Sequence, residues 1–232
     1  VALDSLGFII ENQAKGEKIT TDKVAEALQR KVGFYNKGDD KYDLLSALQK
    51  SVRGSDPDAA MHYYCRLVDG GADLITIGRR LMVMASEDIG MAYPSAISTV
   101  TSCVEAARMV GFPEAGIILA EAVVLLASSP KSNKSYEAFQ KAMSDIRNKE
   151  IAPVPDHLRD SHYKGARDKG YGKDYLYPHA YGGYVKQQYL PDDLYEGRTK
   201  YYFPTENGAE KGFAAYLKSL EKLDTEDEKL GR

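Results

Sequence analysis

From Ala2 to Ile146 apolar side chains return every three or four residues and do not alternate, so the chain can bury them only as a succession of packed helices. Leu3, Leu6, Ile9 and Ile10 mark the first helix, Ala2 to Asn12. Thr20 or Thr21 can cap a second, running to about Arg30 with Val24, Ala27 and Leu28 on one face. After a polar loop at Asn36–Asp40, Tyr42, Leu45, Leu48, Gln49 and Val52 mark a third. Met61, Tyr64, Cys65 and Val68 lie on the next, which stops at Gly70-Gly71. Leu74, Ile77, Leu81 and Met84 point inward from another, about Asp73 to Ser86. Pro94 and Pro113 open two more. The second of these, Glu114 to Ser128, is apolar nearly all round and is expected to be buried. Ser132 or Asn133 then caps a helix to about Asn148 carrying Tyr136, Phe139, Met143 and Ile146. The fold class is all-α: a multi-helix orthogonal bundle, with no strand-rich block and no internal repeat.

The character changes after Pro153-Val154-Pro155. A short helix is expected over Asp156 to Arg167. The chain has 17 Tyr and no Trp, and ten of the tyrosines fall between Tyr163 and Tyr202. That segment is rich in Gly and Pro and has no period, so it reads as an irregular strap from about residue 160. A last amphipathic helix, Glu210 to Lys222, carries Phe213, Tyr216, Leu217 and Leu220. The chain opens on Val1 inside a helical pattern and reads as a piece of a longer protein.

Composition narrows the functions. A formal net charge of −3 argues against a surface that grips nucleic acid everywhere, though a local basic patch stays open. Cys65 and Cys103 form no CxxC pair, which fits a reducing cytoplasm and no disulfide or zinc framework. The longest apolar run, Ala115 to Ala127, is too short to span a bilayer, so no membrane partner is expected. No GxxxxGK[ST] loop and no HExxH occurs. His157 and His162 beside Asp156 and Asp160 supply too few converging ligands for a metal. Glu87 and Asp88 are adjacent on a helix, so they point apart and suit a salt bridge better than shared acid–base work. No residue takes a catalytic, cofactor-binding or metal role.

Two features remain. At Ser51–Ala60 one helix ends and another starts. Gly54 can close the first in the left-handed conformation, and Asp56 can cap the second with Pro57 at its first position. Arg53, Gly54, Ser55 and Asp56 thus form a possible hinge or phosphate-binding junction, with ordinary capping as the simpler reading. In the strap, Lys164, Arg167, Lys169, Tyr171, Lys173, Tyr175 and Tyr177 interleave basic and aromatic side chains. Such a pattern can stack bases and neutralise phosphates, or pack at a protein interface.

Several long strings carry a resemblance. They are YDLLSALQKSVRGSDPDAA (Tyr42 to Ala60), ASEDIG (Ala85 to Gly90), SPKSN (Ser129 to Asn133) and VPDHLRDSHYKGA (Val154 to Ala166). GYGKDYLYPH (Gly170 to His179), QQYLPDDL (Gln187 to Leu194) and YYFPT (Tyr201 to Thr205) complete the set. In this order they resemble the replication-associated recombination protein A family of AAA+ ATPases, also called MgsA. The resemblance implies that residues 1–52 are a remnant of the AAA+ lid, and 53–232 a C-terminal helical domain that assembles the protein into a homotetramer. It implies a clamp-loader-like parent that uses ATP and Mg at stalled replication forks, in recombination and repair. Single-stranded DNA, forks, DNA ends and single-stranded DNA-binding protein are its implied partners, in the bacterial cytoplasm at the nucleoid. The Walker motifs are missing from this sequence, so no cofactor is expected on it. A DNA-binding module built on the basic, Tyr-rich segment is the alternative.

Overall fold

The computed structural model describes Thr20, residues 41–162 and residues 169–230, the last six as backbone only. The helices expected at Ala2–Asn12 and up to Arg30, and the loop at Asn36–Asp40, lie outside the described residues apart from Thr20. The fold is all-α, and no strand occurs among the described residues.

Of the described residues, 41–85 and 95–129 form one compact unit, and 86–94, 130–162 and 169–230 form another. The first unit holds α1 (Lys41–Arg53), α2 (Pro57–Asp69), α3 (Leu74–Met84), α4 (Ala96–Val110) and α5 (Ala115–Ser128). Here α1 packs on α2, α4 on α5, and both α2 and α3 reach α5. Leu48, Val52, Leu67, Ile77, Leu81, Leu119 and Leu126 are fully buried, so an ordinary apolar core holds these helices. Tyr64 joins that core and donates its phenol hydrogen to the Gly116 carbonyl at 2.8 Å. Burial, with Cys65 beside it, pushes the phenol up to about 12.

The caps explain where helices start. The Asp56 carboxylate accepts from Ala59 N at 2.9 Å, with Pro57 at the first helical position. Asp73 accepts from Thr76 N at 2.8 Å and Thr76 Oγ1 at 2.6 Å. Those two bonds, with Lys41 alongside, hold its carboxyl down at about 2. The helix expected from Pro94 begins at Ala96 instead, behind Ser95.

Two expectations are corrected in this unit. Ser55, not Gly54, takes the left-handed conformation, with φ 58°. Asp56 N donates to Ser51 O and Ser55 N to Val52 O, the paired bonds of a Schellman ending with serine in the usual glycine place. Also, α5 is not buried all round: Ile117 is 76% exposed and Val124 44%.

In the second unit the chain leaves α3 through a π turn, Ala85–Ile89, and a 3₁₀ turn, Gly90–Ala92. It continues as α6 (Lys134–Asn148), 3₁₀ turns at Asp156–Leu158 and Pro178–Tyr181, α7 (Asp192–Glu196) and α8 (Glu210–Leu230). Of the helix expected over Asp156 to Arg167, the described residues form a 3₁₀ turn at Asp156–Leu158 and are irregular from there to His162, and residues 163–167 lie outside the described ones. None of the residues of α6 is buried.

A left-handed position costs a non-glycine residue roughly 1–2 kcal/mol, and the greater unfolded-state freedom of glycine offsets roughly 0.5–1 of it, leaving a net cost for serine of about 0.5–1 kcal/mol. Ser55→Gly should therefore raise the unfolding free energy by about that amount, and Asp56→Ala should lower it by about 1 kcal/mol. Urea denaturation of the two variants checks both signs.

Candidate functional site

The junction Arg53–Asp56 is a tight turn inside one unit. α1 and α2 pack on each other directly across it, within one compact unit. Asp56 places its own carboxylate at the first turn of α2, where a phosphate would have to sit. The described residues therefore do not fit a nucleotide phosphate at this point. Arg53 is exposed at the C-terminal end of α1, where a cation suits the helix dipole.

The strap residues separate into two sets. Arg159 donates to the Tyr171 hydroxyl at 2.9 Å and lies 4.8 Å from its ring centroid, so Tyr171 is a packing residue. Lys169, Lys173, Tyr175 and Tyr177 are exposed, and the Tyr177 ring lies 5.2 Å from that of His179. Lys164 and Arg167 lie outside the described residues. His157 Nε2 is 2.7 Å from the Gln188 carbonyl, and His162 Nδ1 is 2.7 Å from Asp160, so the two rings have separate partners. Among the described residues no three His, Cys, Asp or Glu side chains are grouped to hold a metal.

The residue that sequence reasoning missed is Glu210. It opens α8 and is fully buried. A buried carboxylate costs several kcal/mol unless donors satisfy it. Here Tyr202 donates at 2.7 Å, Thr205 donates to the other oxygen, and Ser132 completes the shell. Burial raises the carboxyl, but the three hydroxyls outweigh it and hold Glu210 below its ordinary value. The same carboxylate keeps the Tyr202 phenol protonated well above its usual range, after burial.

Around this shell the backbone is close. Ser132 N donates to Asp88 O at 3.0 Å, Ala209 N to Ala92 O at 2.8 Å, and Asn207 Nδ2 to Lys131 O at 2.9 Å. A Cβ on Gly90 would stand 2.6 Å from Ser132 O, and one on Gly208 would run into Ala92 O. Both glycines have positive φ, so glycine is needed there twice over. Asp88 is buried, and its charge acts on Lys131. The strings ASEDIG, SPKSN and YYFPT, far apart in the chain, thus meet at one polar knot. Nothing local announces it, because the partners of Glu210 stand five, eight and seventy-eight residues away.

Beside the knot, Met91, Ala138, Tyr202, Phe213, Tyr216 and Leu217 line an apolar groove of about 540 Å³. The outer side of α6 stays apolar and open, with Phe139 61% and Ile146 62% exposed. In the first unit the end of α4 and the outer edge of α5 do the same, with Met109 87% exposed and Ile117 near it in sequence.

Comparison with known proteins gives the class. The family profile described as MgsA AAA+ ATPase C terminal matches residues 54–221, and one described as AAA C-terminal domain matches residues 1–53. Replication-associated recombination protein A of Bacillus subtilis (strain 168) is 50% identical over 210 residues, 89% of this chain and 49% of that protein. The protein of the same name in Escherichia coli (strain K12) is 37% identical over 228 residues, 96% of this chain and 50% of that protein. ATPase WRNIP1 of Dictyostelium discoideum is 38% identical over 179 residues, 76% of this chain and 20% of that protein. The chain belongs to the MgsA family of AAA+ ATPases and corresponds to its C-terminal part. It spans about half the length of the bacterial curated relatives it matches. The two profiles meet at the end of α1, and α1 shares one compact unit with α2.

Glu210→Gln should lower stability by roughly 1–3 kcal/mol near neutral pH, because one hydroxyl loses its acceptor. The folded carboxyl lies below its ordinary 4.5, so its contribution is complete above that pH and fades as pH falls through the folded value. The gap between wild type and variant in urea denaturation should therefore be wide at pH 7 and narrow at pH 3. Equal gaps would contradict this role for the charge.

Proposed function

We propose that the chain is the assembly region of an AAA+ ATPase acting in replication-fork maintenance, recombination and repair, and that it carries no catalytic residue of its own. It holds four copies together, so that the ATPase modules of the whole protein act on common DNA and weak contacts add into avidity. The observation that carries this reading is the set of apolar side chains left exposed on α5, Ile117 and Val124, and separately on α6, Tyr136, Phe139 and Ile146. A bundle with buried cores and open apolar helix faces is suited to hold copies of itself.

On this reading ATP and Mg belong to parts of the whole protein that these residues do not represent. Single-stranded DNA, forks, DNA ends and single-stranded DNA-binding protein are partners of the whole assembly, in the bacterial cytoplasm at the nucleoid. Among the described residues no helix is long and apolar enough to cross a membrane. Light scattering across a concentration series should give roughly 100 kDa, four times the 25.7 kDa chain, stable on dilution. A mass of one chain at all concentrations would remove the proposal.

A second reading has its own support. Lys169, Lys173, Tyr175 and Tyr177 are exposed on one segment, and exposed tyrosines between lysines can stack unpaired bases. The chain would then bind single strands directly, with an affinity that falls steeply with salt. Lys169→Glu with Lys173→Glu should weaken binding of a labelled oligonucleotide in fluorescence anisotropy. No binding by the wild-type chain at low salt would end this reading.

A further inference from the structure

The strap encloses a cavity of about 380 Å³ within the second unit, large enough for a small ligand. Its walls are the 3₁₀ turn at Asp156–Leu158, the turn at 170–174 and the pair Gln187-Gln188. Unlike the groove beside the knot, it is lined mostly by polar side chains, and most of these are already held. The Asp156 carboxylate takes Arg159 at 3.2 Å, and the Asp156 carbonyl accepts from Gly172 N at 2.9 Å. Gln187 donates to the Leu176 carbonyl at 2.7 Å and accepts from Leu176 N at 3.2 Å. Gln188 donates to Asp192 at 2.7 Å, and its carbonyl holds His157. Lys173 and Asp174 also line the cavity, and neither has a hydrogen-bond or ion-pair partner among the described residues. Asp174 takes the left-handed conformation, with φ 65°, as do Gly170 and Gly172 just before it. The tight turn thus brings one free ammonium and one free carboxylate to a cavity whose walls are set in advance.

Two carboxylates, Asp156 and Asp174, line the cavity against one lysine, so it is not built for a phosphate. It suits a neutral ligand whose edge carries both donors and acceptors, as the edge of an unpaired base does. Guanine fits this pair of groups best. It offers a carboxylate two parallel donors, N1–H and the 2-amino group, and it offers a cation O6 and N7. We infer that this cavity takes an unpaired guanine of a DNA single strand, with Asp174 accepting from N1–H and the 2-amino group and Lys173 donating to O6. This rests on the single-strand reading above and adds which base is chosen and where. Tyr175 and Tyr177, exposed just beyond Asp174, offer rings to the neighbouring bases. In a duplex the N1–H and 2-amino hydrogens of guanine are given to cytosine, so the same carboxylate separates unpaired guanine from paired.

Fluorescence anisotropy of the full chain with labelled strands tests this. One strand is an oligothymidylate, and the other is the same strand with every third base guanine. The guanine strand should bind about tenfold more tightly, the discrimination expected of one good bidentate contact. Hypoxanthine in place of those guanines removes only the 2-amino group and should abolish most of the gain. Equal binding of all three strands would overturn the guanine cavity and leave the single-strand reading standing. No binding of any strand at low salt would end both.

Asp174→Asn assigns the preference to its residue. Asparagine has the size of aspartate and tolerates a left-handed backbone, so the turn should keep its shape. It replaces one acceptor oxygen with a donor, which then faces a donor of guanine. The variant should bind the guanine and thymine strands alike, no more weakly than the wild type binds oligothymidylate. A guanine preference that survives Asp174→Asn would overturn the assignment. Competition with free deoxyguanosine monophosphate separates a base in a strand from a free nucleotide. It should displace the guanine strand only at far higher concentration, because it brings no neighbouring bases to the strap. Displacement at equal concentration would overturn the strand as the source and give the cavity to a free guanine nucleotide.

Discussion

A single buried carboxylate fixes the second unit. Glu210 opens α8 at full burial, and only the hydroxyls of Ser132, Tyr202 and Thr205 make that tolerable. To supply them, the chain must bring its segments at 130–133 and 201–205 to the start of α8. The stretch from Asp88 to Ala92 is then drawn in by Ser132 N on the Asp88 carbonyl and Ala209 N on the Ala92 carbonyl, and Asn207 ties the Lys131 carbonyl to the same place. Other anchors in this unit repeat the pattern. Tyr201 donates to Asp145 at 3.1 Å, Tyr184 to Asp224 at 2.7 Å, and Lys141 reaches the Lys200 carbonyl at 2.7 Å. Directional bonds, each sensitive to geometry, do here much of what close packing does in the first unit.

That choice of cement has a consequence for the surface. The first unit spends its apolar side chains on a core of leucine, isoleucine and valine. The second holds α6 and α8 largely through polar ends and edges, so the apolar stripe of α6 is not consumed inside the unit. A helix with that amphipathic pattern and no buried residue is built to meet something else. The outer edge of α5 has the matching property, apolar beyond the needs of its own core. Specific self-association needs both apolar area and a means of choosing the partner.

Much of the helical frame was legible in the sequence because its signals are local. The three-to-four spacing of Leu45, Leu48 and Val52 gave α1, and Asp56-Pro57 gave the start of α2. Failures came where a local signal competed with a distant one. Gly54 is the better left-handed residue by chemistry, but the helix runs one residue further and Ser55 takes the position. The nearly uniform hydropathy of Ala115–Ser128 suggested complete burial, whereas only the side facing α1, α2, α3 and α4 has neighbours in its unit. The strap showed its composition but not its division of labour: Tyr171 is held by Arg159, while Tyr175 and Tyr177 are exposed. Glu210 carried no signal, since an acidic residue at a helix start is ordinary and its partners lie elsewhere in the chain.

The central claim is that the faces of α5 and α6 are covered by other copies in solution. Hydroxyl-radical footprinting of the full chain, read by mass spectrometry at high and low protein concentration, tests it most directly. The account predicts that Met109, Phe139 and Met143 are protected when the protein is concentrated and become reactive together on dilution, while Tyr181, outside both faces, reacts alike throughout. Equal reactivity of all four at every concentration would mean that these faces meet water and not another copy.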